Sequence, residues 1–314
     1  MKSIHSSKPE GLIAIVALLL MAVAPAQAEQ KLYDARPNEL SVLSYNVNGL
    51  FPLLTQDNPR DRSPAIGWLA NKYDVVLLQE DFEYHDIIAE EMEGSTAFRG
   101  NGMRYDLRLV AAKLITLPFW LLLPHFSPPY GSGLTVFVRE YLPVPEEVTV
   151  RAYEVCNGWL GEKGNCWATK GFMRVRVRLS DGAEVDVWHT HLDAGPSEGS
   201  TTARGKQLEV FAEAVEELSA DRAVIIGGDL NLGFYRPQDR ELILTFRERL
   251  GLRDTGAGPQ LPWWRERDHI MFRNGSKTTL TVQDAGEALE FVNQNRALSD
   301  HPALFARFLV EHAP

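Results

Sequence analysis

Alternating and continuous apolar runs divide the chain into strands and helices. Residues 40–46, 172–179 and 183–190 alternate between apolar and polar positions, which is typical of strands with one buried face. Continuous apolar runs at 75–78 and 223–226 predict strands that are buried on both faces. Further strands are predicted at 134–139, 147–155, 268–272, 278–283 and 303–310, and helices at 62–72, 84–93, 200–219 and 239–250.

Strands outnumber helices in this pattern, and no gap between elements has the composition of an interdomain linker. The chain has 314 residues, of which 45% are hydrophobic and 24% are charged, as in ordinary folded proteins. We therefore predict a single α/β (α+β) domain with two packed β-sheets.

The N-terminus has the pattern of an export signal. Two lysines precede the uncharged apolar run 12–24, and small residues at 26–28 form a cleavage site. The run is shorter than the ~20 residues that a membrane span needs, and an uncleaved anchor is the alternative. We predict a signal peptide at 1–28, a domain at 29–314, and export to the periplasm or the medium.

The net charge and the two cysteines restrict the binding partners and the covalent bonds that we expect. The net charge of −10 argues against binding to polyanions unless a basic patch or bound cations reverse the local field. The two cysteines, Cys156 and Cys166, lie close together in an exported chain, which predicts one disulfide; two free thiols are the alternative. A zinc site would need further ligands, and no histidine lies near this pair in the sequence.

Polar residues that can bind metals or move protons follow several predicted strands. They are Asn46, Glu80, His191, Asp229, Asn231, Asp268, Asp300 and His301. Carboxylate and amide oxygens suit magnesium, manganese or calcium. The two histidines suit general acid and base roles, and a neighbouring aspartate could orient one imidazole. Each residue alone could equally be a cap, a turn or an ion-pair partner, so the hypothesis depends on their convergence.

The order of short segments resembles the endonuclease/exonuclease/phosphatase superfamily over about residues 40–310. The segments are SYNVNG (44–49), LLQE (77–80), GSGLTVFVR (131–139), HTHLDA (189–194), GGDLN (227–231), RDHIMF (267–272) and LSDHP (298–302). HTHLDA, YGSGLTVFVR and CWATKGFMRVRV (166–177) are most similar to neutral sphingomyelinases. Arg204 and Gln207 match a helix pattern common in the superfamily, where a role in packing is expected.

The resemblance implies a four-layered sandwich of two packed mixed β-sheets flanked by helices. It implies a metal-dependent phosphoric diester hydrolase that uses Mg²⁺, or Mn²⁺ or Ca²⁺. Glu80 would be the principal metal ligand with Asn46 beside it, and Asp300 would be a further ligand. Asn48 and His189 are the candidates for substrate binding.

The resemblance also assigns the catalytic roles. Asp229 and Asn231 would orient the attacking water and the phosphate. His301, oriented by Asp268, would be the general base. His191 would stand opposite, where it would stabilise the transition state or protonate the leaving oxygen.

Within the superfamily we expect a monomer that hydrolyses a phospholipid, such as sphingomyelin, at a membrane surface. Secreted bacterial sphingomyelinases carry an aromatic hairpin before the SDHP segment, whereas the interval 274–297 here contains only Phe291 as an aromatic. The apolar segment 109–123 could replace that hairpin as a lip that touches lipid, or it could be a buried helix.

Two alternatives remain open. An exported endonuclease of the deoxyribonuclease type would use the same catalytic residues and bind nucleic acid through the stretches 99–108 and 263–267. A non-catalytic adaptor would retain only the scaffold, and the full set of acidic, amide and histidine side chains argues against it.

Overall fold

The computed structural model describes most of the chain after residue 37. The described residues are 38–50, 52, 55, 57–101, 131–144, 146–158, 165–256, 267–293 and 296–313. The predicted signal peptide 1–28, the apolar segment 109–123, and most of the basic stretches 99–108 and 263–267 lie outside the described residues.

Six strands form the first sheet. They are β1 (Glu39–Asn46), β2 (Val75–Gln79), β3 (Ser95–Arg99), β4 (Thr135–Arg139), β11 (Thr278–Glu287) and β14 (Leu304–His312). Their spatial order is β11-β14-β1-β2-β4-β3. Strands β1 and β2 are parallel and the other pairs are antiparallel, so the sheet is mixed.

Six further strands form the second sheet. They are β5 (Thr149–Ala152), β6 (Gly171–Arg178), β7 (Glu184–His191), β8 (Val224–Asp229), β9 (Arg253–Asp254) and β10 (Asp268–Arg273), and their order is β5-β6-β7-β8-β10-β9. The central pair β7 and β8 is parallel. A separate two-stranded ribbon is formed by β12 (Val292–Asn293) and β13 (Arg296–Ala297).

The described residues contain four α-helices. They are α1 (Pro59–Ala70), α2 (His85–Glu90), α3 (Glu198–Ser219) and α4 (Pro237–Leu250). Helix α1 begins three residues before the predicted start because the Asn58 side chain accepts a hydrogen bond from the Arg60 amide and Pro59 occupies the first turn. Helix α3 is capped in the same way by Ser197. None of the described helices is both long and apolar enough to cross a membrane.

The helices cover the outer faces of the two sheets. Ile66 and Ile88 of α1 and α2 pack with residues of β1 and β2, whereas Phe211 and Phe246 of α3 and α4 pack with residues of β6 to β8. The inner faces of the sheets pack against each other through β1 and β2 on one side and β7, β8 and β10 on the other. This arrangement confirms the predicted four-layered sandwich of two mixed sheets.

Gly227 of β8 sets the close approach of the two sheets. A Cβ atom at this position would lie 2.5 Å from Leu77 Cδ1 of β2 and 3.5 Å from Ser44 Cβ of β1. A larger residue here would force the Leu77 side chain of the opposite sheet to move, since real Cβ atoms keep greater distances. The two residues that follow Gly227 end β8 at Asp229, so the spacing is set next to the predicted site.

Several short or exposed elements were not predicted from the pattern. Strand β3 is largely exposed and carries no apolar alternation, and it is a strand because it pairs with β4 at the sheet edge. Strand β11 continues to Glu287, four residues beyond the prediction, because it pairs with β14 across an irregularity between Val282 and Asp284. Partner strands supply the hydrogen bonds that local sequence does not specify.

The predicted disulfide is formed between Cys156 and Cys166, whose Cα atoms lie 5.3 Å apart. Asn157 and Asn165, next to the two cysteines, both bond to the segment after β7. The Asn157 amide donates to Asp193 Oδ2 at 2.6 Å, and the Asn165 side chain exchanges two hydrogen bonds with the backbone of Ala194. The disulfide therefore closes a loop whose base is joined to the end of β7.

His189 lies between the two sheets, and this placement corrects its predicted role in substrate binding. Its side chain is 0% exposed, and its Nε2 lies 2.7 Å from Gln79 Nε2 of the opposite sheet. Burial lowers the pKa of His189 to about 3, so the imidazole is neutral and accepts the bond from the Gln79 amide. A substrate has no access to a side chain in this position.

The buried neutral state of His189 predicts a pH-dependent stability. Below pH 6.5 the unfolded chain binds a proton that the folded protein binds only near pH 3, so the free energy of unfolding falls as the pH is lowered through this window. The slope contributed is at most about 1.4 kcal/mol per pH unit. Urea unfolding of His189→Gln should show a shallower loss of stability over this window than the wild type, and equal slopes would contradict the assignment.

Candidate active site

The predicted site residues meet where the central strands of both sheets end. Asn46 ends β1 beside Gln79 of the parallel strand β2, and His191 ends β7 beside Asp229 of the parallel strand β8. Asp268 begins β10 directly opposite Asp229 in the antiparallel pair. Since parallel strands end at the same sheet edge, the polar residues at these strand ends lie together in one cluster.

A single amide joins the two halves of this cluster. The Asn46 Nδ2 atom donates to Glu80 Oε1 and to Asp229 Oδ2, each at 3.1 Å, and the second bond connects the first sheet to the second. The Asn46 Oδ1 atom accepts from the Asn48 amide at 3.0 Å. In this orientation Asn46 presents its nitrogen to the carboxylates, and oxygen ligation of a metal would require the opposite amide orientation.

Glu80 is held in a turn of left-handed conformation, with φ of 56°. Its carbonyl accepts from the Gly49 amide at 2.9 Å, and a Cβ atom at Gly49 would lie 2.6 Å from that oxygen. The next residue, Asp81, is buried and its Oδ2 accepts from Thr135 and lies 2.6 Å from His85 Nδ1. These contacts overcome the conformational cost of the turn, which is on the order of 1 kcal/mol.

Asp229 lies at the centre of the polar groups of the cluster. Its Oδ1 atom accepts from the Asn231 amide at 2.9 Å, and its Oδ2 atom lies 3.4 Å from His191 Nε2 and 3.8 Å from His301 Nε2. Burial alone would raise the pKa of Asp229, but the interactions with His301, His191 and Lys170 outweigh it and lower the pKa to about 2. Asp229 is therefore an anion near neutral pH.

His301 and Asp268 form a buried pair. His301 Nδ1 lies 2.8 Å from Asp268 Oδ2, which leaves the Nε2 atom directed toward Asp229. Burial lowers the pKa of His301, but the negative charges of Asp268 and Asp229 raise it by more. A cation beside Asp229 would cancel part of that negative charge and return the pKa of His301 toward the range of a general base.

Lys170 is a site residue that the sequence analysis did not select. Its Nζ atom lies 3.0 Å from His191 Nε2 and donates to the Leu192 carbonyl at 2.7 Å, and it is buried. Burial and the charge of Lys170 lower the pKa of His191 well below its ordinary value, so His191 is neutral. The signal in the sequence was a lone lysine immediately before the alternating strand β6.

Arg204 and Gln207 are fully buried and hold the segment after His191. The Asp193 amide donates to Gln207 Oε1 at 3.0 Å, and Gln207 Nε2 donates to Asp193 Oδ1 at 2.9 Å. Arg204 donates to the carbonyls of Asp193 and Gly195 and to Asp239 Oδ1 at 2.8 Å. Their role is therefore more specific than the packing that was expected of the helix pattern.

Two predicted site residues lie at the margin of the cluster. Asp300 is exposed, and its Oδ1 atom accepts from Ser299 Oγ at 3.4 Å, so its contact with a metal stays a prediction. Asn48 has a φ of 45° and contributes backbone groups, its amide to Asn46 and its carbonyl to Arg62. The structure thus brings together Asn46, Glu80, His191, Asp229, Asn231, Asp268 and His301.

The residues present fit a divalent cation. Three carboxylates and two amides share the cleft. Burial raises the pKa of Glu80 by more than the Asn46 hydrogen bond and the charges of Lys170 and His301 lower it, so its negative charge is only partly compensated. The Glu80 side chain is 22% exposed, against 2% for Asp229, so the cluster reaches solvent through Glu80. A second possible group is Asp229, Asp268 and His301, whose ligand atoms lie within 4.8 Å of one another, but the bond between Asp268 and His301 favours a proton-relay pair there.

Comparison with known proteins identifies the family. A family model described as "Endonuclease/Exonuclease/phosphatase family" matches residues 43–301, which include every residue of the cluster. The chain belongs to this family. The resemblance that the motifs indicated is thereby confirmed.

Relatives and solved structures extend this result. Proteins named sphingomyelinase from Mycobacterium bovis and Mycobacterium tuberculosis are 29% identical over 286 residues, which is 85% of this chain and 52% of the relative. The chain thus spans about half the length of these curated relatives.

Two solved structures share the fold. A double mutant of the beta toxin from Staphylococcus aureus, with bound magnesium ions, has a TM-score of 0.59 at 17% identity, with 85% of this chain and 99% of that chain covered. D. rerio TDP2 complexed with a single-strand DNA product has a TM-score of 0.57 at 20% identity, with 86% and 98% covered. At these identities the likeness concerns the fold alone.

The geometry predicts that Glu80→Gln weakens divalent cation binding at least about tenfold, because a carboxylate ligand becomes a neutral amide. Isothermal titration with Mg²⁺ and electron paramagnetic resonance with Mn²⁺ measure the affinity. Glu90→Gln, an exposed residue of α2, is the matched control. Unchanged affinity in Glu80→Gln together with a loss in Asp268→Asn would place the cation on the second group instead.

The contact between Lys170 and His191 predicts a shift in proton affinity. In Lys170→Met the pKa of His191 should rise, since the neighbouring positive charge is removed, but it should stay below 6.5 because burial is the larger cause. NMR titration of the imidazole Cε1–H signal in cation-free protein measures this. Lys277→Met, at an exposed position, should leave the signal unchanged. An unaltered His191 pKa in Lys170→Met would contradict the contact.

Proposed function

We propose that the chain is an exported, metal-dependent phosphodiesterase that hydrolyses a phospholipid headgroup ester in the manner of a sphingomyelinase. The observation that carries the proposal is the convergence of Glu80, Asp229, His191 and His301 on one cleft between the sheets. These groups come from four separated segments of the chain, and they supply a cation site, a base and a neutral imidazole together.

The chain's own residues perform distinct tasks in this proposal. His301, held through Nδ1 by Asp268, takes a proton from the attacking water at Nε2. Asp229 and Asn231 orient that water and the phosphate. His191 and the adjacent Lys170 face the phosphate from the other side, where hydrogen bonds and positive charge stabilise the charge that develops on its oxygens.

Glu80, with Asn46 beside it, would hold the cation, and Mg²⁺ is proposed before Mn²⁺ or Ca²⁺ because oxygen donors dominate this part of the cleft. When bound, such an ion neutralises charge on the phosphoryl oxygens and lowers the proton affinity of a bound water. The magnesium ions bound to the beta toxin, which has the same fold, support the choice.

The lipid substrate is proposed from the sphingomyelinase relatives at 29% identity. The predicted departure from bacterial sphingomyelinases is visible in the fold, because the interval before His301 contains the short ribbon β12–β13 and its single aromatic, Phe291, is buried. Leu289 and Val292 are the exposed large apolar residues in the described part of this interval. Contact of segment 109–123 with lipid stays a prediction.

A nuclease is the second candidate function. It is favoured by the fold shared with D. rerio TDP2, whose structure contains a single-strand DNA product. The catalytic geometry would serve either substrate, since both reactions break a phosphodiester. The net charge of −10 disfavours nucleic acid, because an acidic chain gains less from the release of counterions from the phosphates than a basic chain does.

Substrate assays with His301→Ala test the proposal. Wild-type protein with Mg²⁺ should release phosphocholine from sphingomyelin vesicles and should not nick plasmid DNA. His301→Ala should lower the turnover number about 10²- to 10⁴-fold because the general base is lost. His312→Ala, at an exposed histidine whose side chain is 59% accessible, should retain full activity. Plasmid nicking without lipid hydrolysis would establish the nuclease instead, and neither activity with any divalent cation would contradict both candidates.

A further inference from the structure

Arg62 of helix α1 is a buried cation whose partners are mainly backbone carbonyls. Its side chain is 7% exposed, and among the residues that the structure describes its one acidic contact is with Asp57, at 3.4 Å from Nε. Its two terminal nitrogens donate to three carbonyl oxygens, and two of those bonds measure 2.7 Å. A buried guanidinium with little ionic compensation is costly unless its donors are satisfied, so these bonds determine where it lies.

The three carbonyls belong to two distant segments of the active site. Arg62 NH1 donates to Val47 and to Leu298, and NH2 donates to Asn48. Val47 and Asn48 follow Asn46, which joins Glu80 to Asp229. Leu298 precedes the segment that ends in His301. One side chain therefore connects the segment that positions the cation site with the segment that carries the base.

A second contact links the same two segments. Ser299 Oγ donates to the Asn46 carbonyl at 2.7 Å and also lies 3.3 Å from the His301 amide, which donates to it. We call the contact between these two segments the junction. Arg62 holds it from helix α1, and Ser299 holds it from within the second segment. Neither residue contacts Asp229, Asp268 or Glu80 through a hydrogen bond recorded among the described residues.

Only an arginine matches this arrangement. The planar guanidinium presents donors along fixed directions, whereas a lysine ammonium is a point charge on a flexible stem. A lysine at position 62 could reach one or two of the three carbonyls. Methionine would leave all three without the donor, and each unsatisfied buried carbonyl favours displacement of its segment.

We propose that Arg62 is a positioning residue that sets the distance between the Asn46–Asn48 segment and the Leu298–His301 segment, and thereby aligns the base with the cation site. The proposal rests on the function proposed above. Its effect on the reaction follows from geometry, because a displacement of about 1 Å between reacting groups costs about 10²-fold in rate.

The experiment compares Arg62→Lys and Arg62→Met with Arg176→Met in the full chain. Arg176 is equally buried, on β6, and pairs with Asp186, five residues before His191 along β7. Its replacement therefore controls for loss of a buried arginine away from the junction. The thermal midpoint of each variant is measured first, and all assays are run at a temperature at which every variant is folded.

Turnover is the first readout. We expect the turnover number to fall about 10²-fold in Arg62→Met and about tenfold in Arg62→Lys, with KM for sphingomyelin changed less than about threefold. Arg176→Met should keep the wild-type turnover number within about threefold at a similar loss of stability. Equal losses in Arg62→Met and Arg176→Met would overturn the proposal, and so would wild-type turnover in Arg62→Met.

Amide hydrogen exchange is the second readout and needs no activity. The Asn48 and His301 amides, bonded to Asn46 Oδ1 and Ser299 Oγ, should both exchange at least about tenfold faster in Arg62→Met and remain protected in Arg176→Met. Unchanged protection of either amide in Arg62→Met would show that Arg62 does not hold the two segments together. This result stands even if wild-type protein hydrolyses no phosphodiester, which would contradict the proposed function alone.

Discussion

The site depends on how buried negative charge is compensated between the two sheets. Glu80 and Asp229 come from opposite sheets, and the Asn46 amide bonds to both. Carboxylates in such a position are unfavourable unless donors or cations surround them. The Asn46 amide compensates part of this charge, and the positive charges of Lys170 and His301 compensate more of it at Asp229. The pKa of Glu80 stays raised, and this incompletely compensated charge supports the proposal that a divalent ion binds there.

Each half of the site is held from outside its sheet by a buried side chain of a covering helix. Arg62 of α1 donates to the segment after β1 and to the segment that leads to His301. Arg204 and Gln207 of α3 bond to the segment that follows His191. In both cases some of the bonds run to backbone atoms of loops, which are the parts of the fold with the least support of their own. The outer helices therefore support the loops that carry the site, although none of these three side chains bonds to Glu80, Asp229 or His301 in the described residues.

The sequence predicted the strand ends well and the partners of buried polar groups poorly. Strands β2 and β8 contain short apolar runs that a charged residue follows closely, and this local signal made Glu80 and Asp229 candidates. Only the order of the motifs along the chain predicted that the two residues converge. His189 lies on the same face of β7 as His191, and the pattern could not show that only His191 reaches the cleft while His189 meets Gln79 of the other sheet. Such contacts depend on how the sheets are rotated against each other, which no single segment encodes. Arg62 and Lys170 were missed because both donate to backbone carbonyls. Every residue type has such a carbonyl, so the partner position carries no sign of the bond in the sequence.

The absence of a side chain at Gly227 has a consequence for how members of such a family diversify. The backbone there lies close to Leu77 of the opposite sheet, so the two sheets approach each other closely beside the cleft. A larger substrate cannot be accommodated by moving the sheets apart, because that would also separate Asn46 from Asp229. New specificities are therefore expected at the rim, where surface loops can change without altering the bond between Asn46 and Asp229.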